Sequence, residues 1–440
     1  MTKIVRTLST ALLVAGALAW TAGSLDAQGV TTAAMSGIVT DTLGNPLPEA
    51  LVVAVHVPTN TRYQAVVRTG GVYNLPNMRV GGPYTVTVRL IGYAQQEQQN
   101  VVVSLGQNLR LDFRLAPQAI QLTAIQVTAE EDEILNADRT GAATFIGPDQ
   151  VILLPSIKRS TRDLIRMDPR NDGNYAFGGR NWLYNNISLD GSYFNNSFGL
   201  DDPAPGGQTN AEPVPFDAVE EVQVSIAPFD VRQGGFTGAN VNTVTKSGTN
   251  QVRGSVYTFY RNQAFQGNEV SGSPVVANPD LTFLQSGASL GGPIIRDKLF
   301  FFVNAEIERT DDPGTNFVAG TGTSGLGISR VQASIMDSIR NRMMQEYNYD
   351  PGAYQGFVHQ TDNNKLLAKL DWNINDNNSF WLRYNYLDAN RDLPPHPFVL
   401  SFANSGRGPN SSSLPFQNSG YAINNEMHSF AMELNSLFGR

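Results

Sequence analysis

The sequence predicts a mainly β protein: an exported chain with a small β-sandwich, a mixed α+β region and the first strands of a transmembrane β-barrel. Three observations predict it. Turn formers are abundant, with 41 Gly and 24 Pro in 440 residues, which favours many connections over long helices. No segment after the N-terminus approaches 18 uncharged apolar residues, so no helix is expected to span a bilayer. The C-terminal half carries runs such as "LFFFVNAEIERT" (299–310), where Phe301, Val303, Ala305 and Ile307 alternate with Phe302, Asn304, Glu306 and Glu308. That alternation gives a strand one apolar and one polar face. The run alone does not say which face meets water.

Composition removes several functions. Charged residues make up 16% of the chain and the net charge is −8, which argues against a nucleic-acid partner. There is no cysteine, hence no disulfide framework and no thiolate metal site. At the N-terminus, Lys3 and Arg6 precede "LSTALLVAGALAW", and a zone of small residues ends at Ala27. This is the layout of a secretory signal peptide over 1–27, with cleavage expected after Ala27.

Residues 28–117 read as the sandwich. Short β-rich runs ("MSGIVTD", "ALVVAVHV", "YQAVVRT", "YTVTVRL", "LRLDFRL") are separated by Gly, Pro and Asn. In the last run Leu109, Leu111, Phe113 and Leu115 alternate with Arg110, Asp112 and Arg114, as a half-buried strand requires. The stretch "SGIVTDTLGNPLPEALVVA" resembles the opening of the carboxypeptidase regulatory-like domain, a transthyretin-like sandwich, through Gly37, Val39, Asp41, Gly44, Pro46, Leu47 and Ala50. "GGVYNLPN" and "GGPYTVTV" are similar to its later Gly-Tyr pattern, with Pro83 inserted before Tyr84. The resemblance implies an accessory fold without catalytic zinc, sharing its topology with carbohydrate-binding modules.

After a linker at 118–130 the character changes. In "SIKRSTRDLIRMDP" a short helix is expected, with Ser160 and Asp163 as a capping-box-like pair, Leu164, Ile165 and Met167 on its apolar face, and Asp168-Pro169 as its stop. "AVEEVQVSI" reads as a strand, and the region 131–250 closes with the Gly-rich "FDVRQGGFTGANVNTVTKSGTN". From 251 to 440 six strands are expected, at about 252–262, 281–290, 299–310, 361–374, 379–388 and 428–438. In "LLAKLDWN", Leu366, Ala368, Leu370 and Trp372 oppose Lys365, Lys369 and Asp371; in "SFWLRYNYLD", Phe380, Leu382, Tyr384 and Tyr386 oppose Arg383 and Asn385. The connections alternate, with short ones at "GGPIIRDK" and "INDNN". Outer-membrane barrels show this asymmetry of short periplasmic turns and long extracellular loops, and Tyr and Trp at strand ends suit their aromatic girdles. Phe301 to Ile307 are therefore expected to face lipid.

The order of signal, sandwich, mixed domain and barrel strands resembles the Oar-like branch of TonB-dependent outer-membrane receptors. Three motifs carry this: "PFDAVEEVQVSIAPFDVRQGGFTGANVNTVTKSGTNQVRGSVYTFYRN", "LDGSYFNN" and "LGGPIIRDKLFFFVNAE". The resemblance implies that 131–250 is a plug filling a barrel, with Asp190, Gly191, Gly234, Gly235, Asn242, Thr245, Lys246 and Gly248 as its motif residues. It implies a TonB box before the plug, for which Ile125, Gln126, Val127, Thr128 and Ala129 are the candidate. That segment would engage a TonB-type energy-coupling protein by strand addition. Further partners are outer-membrane lipid and an unidentified extracellular ligand (glycan, peptide or metal chelate). A barrel of about 22 strands exceeds the six expected here, so the chain is expected to be truncated in its barrel. The other function in view is a surface or periplasmic binding protein that uses the sandwich to hold a glycan or peptide.

No catalytic, cofactor or metal site is expected. "GASLG" (287–291) fits G-x-S-x-G but leads into a Gly-Pro turn instead of a helix. "GTGTSG" (320–325) lacks a flanking βαβ unit and precedes a helix-like run with Val331, Ile335, Ile339 and Met343. His56, His359, His396 and His428 form no i,i+4 pair, and "DPRNDG" fails the calcium-loop pattern at Arg170.

Overall fold

The structure, a computed structural model, describes residues 31–438 apart from 118–141, 157, 174, 197–201, 227–233, 235, 266, 268, 276–279, 323–324 and 397–407. The expected signal peptide, the TonB-box candidate and Gly235 lie outside the described residues.

Eight strands form the N-terminal sandwich: β1 (Ala33–Asp41), β2 (Leu51–His56), β3 (Thr61–Val66), β4 (Val72–Met78), β5 (Gly81–Arg89), β6 (Gln96–Val103), β7 (Asn108–Arg110) and β8 (Phe113–Leu115). One sheet runs β3-β2-β5-β6; the other centres on β1, flanked by β4 and by β7 and β8. Met35, Val52, Val86 and Phe113 are among the alternating residues that meet between the sheets. The expected single strand over "LRLDFRL" is broken into β7 and β8. Asp112 leaves the ladder to accept the Ile38 amide at 2.8 Å, while the Leu111 carbonyl accepts from the Tyr73 hydroxyl at 2.6 Å. Gly37 is required at this crossing, because a Cβ there would sit 2.0 Å from the Leu111 oxygen. Tyr84 works like Tyr73: its ring is buried and its hydroxyl reaches the Arg79 carbonyl at 2.6 Å.

The middle region has β9 (Ala142–Ile146), α1 (Pro148–Leu153), α2 (Thr161–Ile165), β10 (Asn171–Gly173), β11 (Ala176–Phe177), β12 (Asn186–Leu189), β13 (Ser192–Tyr193), β14 (Val219–Ile226) and β15 (Ala239–Thr245). Its main sheet has the order β13-β12-β15-β14-β9, with β12 and β15 parallel. Ser160 caps α2 as expected, accepting the Arg162 amide at 3.0 Å. Asp163 does not complete a capping box. Its carboxylate binds Ser156 and the Lys158 amide, and the Ser160 amide turns to Ser156 instead. Met167 is also off the apolar face, at 54% exposure, since the helix ends before it.

The C-terminal strands are β16 (Arg253–Asn262), a small hairpin of β17 (Glu269–Val270) and β18 (Ser273–Pro274), β19 (Thr282–Ile295), β20 (Leu299–Pro313), β21 (Val318–Gly320), β22 (Ile328–Gln332), β23 (Val358–Asn375), β24 (Asn378–Leu393) and β25 (Tyr421–Ser436). β16-β19-β20-β23-β24-β25 make one antiparallel up-and-down sheet. "GGPII" belongs to β19, so the expected "GGPIIRDK" turn shrinks to 296–298; "GASLG" is mid-strand. β25 starts earlier than expected. A helix, α3 (Ala333–Tyr347), follows β22, but Val331 belongs to the strand, and Met336 is its buried apolar residue while Ile335 and Ile339 are exposed. With Ala319 and Leu414, Met336 makes a small core joining the two long loops.

Register fixes the faces of this sheet. Leu290, Val303, Ala368, Tyr384 and Phe430 pair across it as one row, and this face is open, with Val303 at 38% and Phe430 at 73% exposure. The neighbouring row of Phe302, Lys369 and Arg383 is buried against the middle region. Phe302 and Leu367 join that region's own core, beside Leu164, Leu189, Val222 and Val241. The apolar face is thus the outer one, as expected for lipid contact.

Candidate functional site

The junction between the middle region and the inner wall is built around one two-residue turn. Asp190 and Gly191 connect β12 to β13 with φ of 46° and 72°, the left-handed geometry that an Asp-Gly hairpin turn supplies. This puts the Asp190 carboxylate into the interior. Thr245, at the end of β15, donates to it through its amide at 2.8 Å and its hydroxyl at 2.7 Å. Arg383 from β24 donates to the same carboxylate at 2.7 Å, to the Leu189 carbonyl at 2.9 Å and to Ser192 at 3.1 Å. Lys369 from β23 lies 3.5 Å from Asp190 and donates to Thr245. Burial would raise the Asp190 pKa, but Lys369, Arg383 and the Thr245 bonds outweigh it and hold the carboxyl below its ordinary value.

Other motif residues serve the same junction. Asn242 accepts from the Gly191 amide at 3.2 Å. Lys246 stands 3.9 Å from Asp217, and Asp217 accepts from Ser255 of the first wall strand at 2.7 Å. Gly248 lets the chain pass against the wall, because a Cβ there would lie 2.3 Å from the Phe301 oxygen. Asp190, Gly191, Asn242 and Thr245 are thereby brought together, with Lys246 and Gly248 at the rim. Gly234 is exposed and takes no part.

Sequence reasoning assigned no role to the wall's half of this site. Arg383 is fully buried, and Lys369 and Arg383 had registered only as the polar side of their strands. Further up the wall Lys365 bonds Glu306 at 2.8 Å, Glu306 accepts from Tyr257 at 2.6 Å, and Asn385 donates to the Pro213 carbonyl at 2.9 Å. The available signal was the residue type: long charged side chains recurring at inward positions of adjacent strands need buried partners.

Comparison with known proteins agrees with this architecture. Residues 34–116 match the family profile described as "Carboxypeptidase regulatory-like domain", and residues 244–337 match "Outer membrane beta barrel domain". The TonB-dependent transporter Oar of Myxococcus xanthus is 27% identical over 278 residues, covering 58% of this chain and 25% of that protein. The probable TonB-dependent siderophore receptor PirA of Acinetobacter baumannii is 29% identical over 120 residues, covering 27% of this chain and 14% of that protein. The solved outer-membrane transporter YddB from Escherichia coli aligns with 67% of this chain and 37% of its own, at 14% identity and a TM-score of 0.43. The chain therefore spans about a quarter or less of the curated relatives it matches.

Sandwich, inner domain and lipid-facing wall define an outer-membrane β-barrel protein with an accessory N-terminal domain. Within that class the chain is similar in part to the TonB-dependent proteins named above, and the matched barrel domain places it in the outer membrane.

Proposed function

We propose that the protein takes part in energy-coupled uptake of a bulky nutrient across the outer membrane, with 131–250 as the plug and 251–440 as the N-terminal part of the barrel. The observation that carries this reading is the Asp190 junction. An inner domain tied by charged groups to a barrel wall can seal a channel and still be released without unfolding the wall. The sheet's edge strands, β16 and β25, have no strand partner on their outer sides among the described residues. Lipid cannot satisfy a free edge, so closure calls for further strands beyond the six. The ligand class stays open between glycan, peptide and metal chelate, and we assign the chain no catalytic step.

Energy coupling is proposed for Ile125, Gln126, Val127, Thr128 and Ala129, a stretch rich in β-branched residues between sandwich and plug. A TonB-type partner would add it as a strand, so backbone amides supply the affinity. A peptide of residues 118–131, titrated with the purified periplasmic domain of such a partner, tests this by calorimetry. Val127→Pro removes an amide and restricts the preceding residue, so binding should fall at least about tenfold. Val127→Thr should retain it. Equal binding of all three peptides would remove the assignment.

A further inference from the structure

The sandwich docks on the short-turn end of the barrel sheet. The short turns at 296–298 and 376–377 lie on one side of the sheet, and the long connections lie on the other. On the short-turn side, Thr31 donates to Glu433 of β25 at 2.6 Å, and Asn373 of β23 donates to Thr61 at 2.7 Å. The Asn250 amide reaches the Pro58 carbonyl at 2.8 Å, and Arg79 pairs with Asp371 at 3.3 Å. The plug joins in: the Leu105 amide donates to Glu221 of β14 at 3.2 Å. Leu105 is fully buried yet stands outside the sandwich's own core. Between the three domains lies a cavity of about 460 Å³, lined by His56 and Arg79 of the sandwich, Asp190 and Ser247 of the plug region, and Lys369 and Asp371 of the wall.

We propose that the N-terminal sandwich is a gate over the periplasmic mouth, covering this half-enclosed cavity beneath the Asp190 junction when docked and uncovering it by swinging away. The docking is visible without any transport reading, whereas its meaning as a gate rests on the proposed function. Several features make the contact reversible. Its named bonds are mostly single and polar, and each partner can be resatisfied by water on opening. The plug's own attachment is different, since Arg383 is fully buried and holds Asp190, Leu189 and Ser192 at once.

The absence of native cysteine allows a clean test in the full chain in outer-membrane preparations. Ser247→Cys places a thiol in the cavity, and Asp376→Cys places one on an exposed short turn. Each is labelled with a polyethylene-glycol maleimide too bulky to pass beneath the docked sandwich. The ratio of the two rates cancels differences between preparations. The ratio should be far below one in the parent and rise severalfold in Arg79→Ala, which loses the pair with Asp371. A ratio near one in the parent would show that the sandwich covers nothing and overturn the gate. A ratio that stays low in Arg79→Ala would show that the sandwich is seated by fixed packing and overturn its opening. No energy-coupling partner is present in this assay, so the TonB-box reading can fail without affecting it.

Discussion

The sandwich and the barrel wall are built from the same alternating strands, yet they are inside out relative to each other. In β2, Val52 and Ala54 are buried and Leu51, Val53 and Val55, on the other face, are half-buried. In β20, Asn304 and Glu306 are buried while Val303 and Ile307 are exposed. Periodicity of two sets which residues share a face; it does not say where the water is. The polar faces differ in kind. The sandwich's outer residues, such as Arg62 and Gln64, stay exposed, whereas the wall's charged side chains find partners far away in sequence, as Arg383 does with Asp190. A face of buried charges needs a second domain to complete it, and the middle region, proposed above as the plug, is that domain.

The largest expected effect comes from breaking this completion. Arg383→Ala leaves Asp190 buried with one cation fewer, and removing one partner of a buried pair costs about 3–5 kcal/mol. Urea unfolding in detergent, followed by the fluorescence of Trp372 and Trp381, should show the loss. Asp190→Asn with Arg383→Met should cost less than the two single changes summed, since no charge is then stranded. The acid limb follows the same logic. Because the Asp190 pKa is lowered in the folded state, its contribution is present above the unfolded value near 3.9 and is lost as pH falls through the folded one. The plug should therefore hold at pH 5 and loosen only in stronger acid. A variant as stable as the parent would mean that packing alone seats the plug.

The next effect separates the two outer surfaces. Ile307 lies near the middle of β20 on the open face, where an arginine at the bilayer midplane costs about 2–4 kcal/mol. Gln64→Arg, on the exposed face of β3, should stay within about 0.5 kcal/mol. Refolding into lipid vesicles measures the first, and a denaturant titration measures the second. Equal, small effects would put the outer face of the wall in water and contradict the lipid assignment.

Much of this contrast was legible in sequence. The wall strands, their two faces and the short-long order of their connections follow from local alternation and turn composition. The Asp-Gly turn was legible only through the resemblance of "LDGSYFNN" to the receptor family. What was not legible has a common cause, namely contacts between residues distant in the chain. Nothing near Arg383 points to Asp190, 193 positions away, and nothing near Leu105 points to Glu221. The local misses have local causes. "LRLDFRL" breaks because the Asp112 side chain competes for a backbone amide, and Met167 is exposed because α2 stops after Ile165. Gly-Gly-Pro read as a turn, although Pro293 still pairs within β19.

The smallest effect concerns the sandwich alone. Residues 31–117 contain their own core, so they should fold as an independent monomer, in contrast to the wall, which should need detergent. Within that unit Tyr73→Phe keeps the buried ring and removes only the hydroxyl that meets the Leu111 carbonyl at 2.6 Å. One net hydrogen bond is worth about 0.5–1.5 kcal/mol, and for a domain of this size 1 kcal/mol moves Tm by about 4–8 °C. The bond has a second role, because it holds the kink that separates β7 from β8 beside Gly37. If that role matters, Gly37→Ala should cost more than Tyr73→Phe, since its added Cβ would collide with the same carbonyl. Thermal melts of the three proteins rank these outcomes. A Gly37→Ala melt equal to the parent's would show that the kink relaxes freely, and that the break in the last strand is a choice of Asp112 alone.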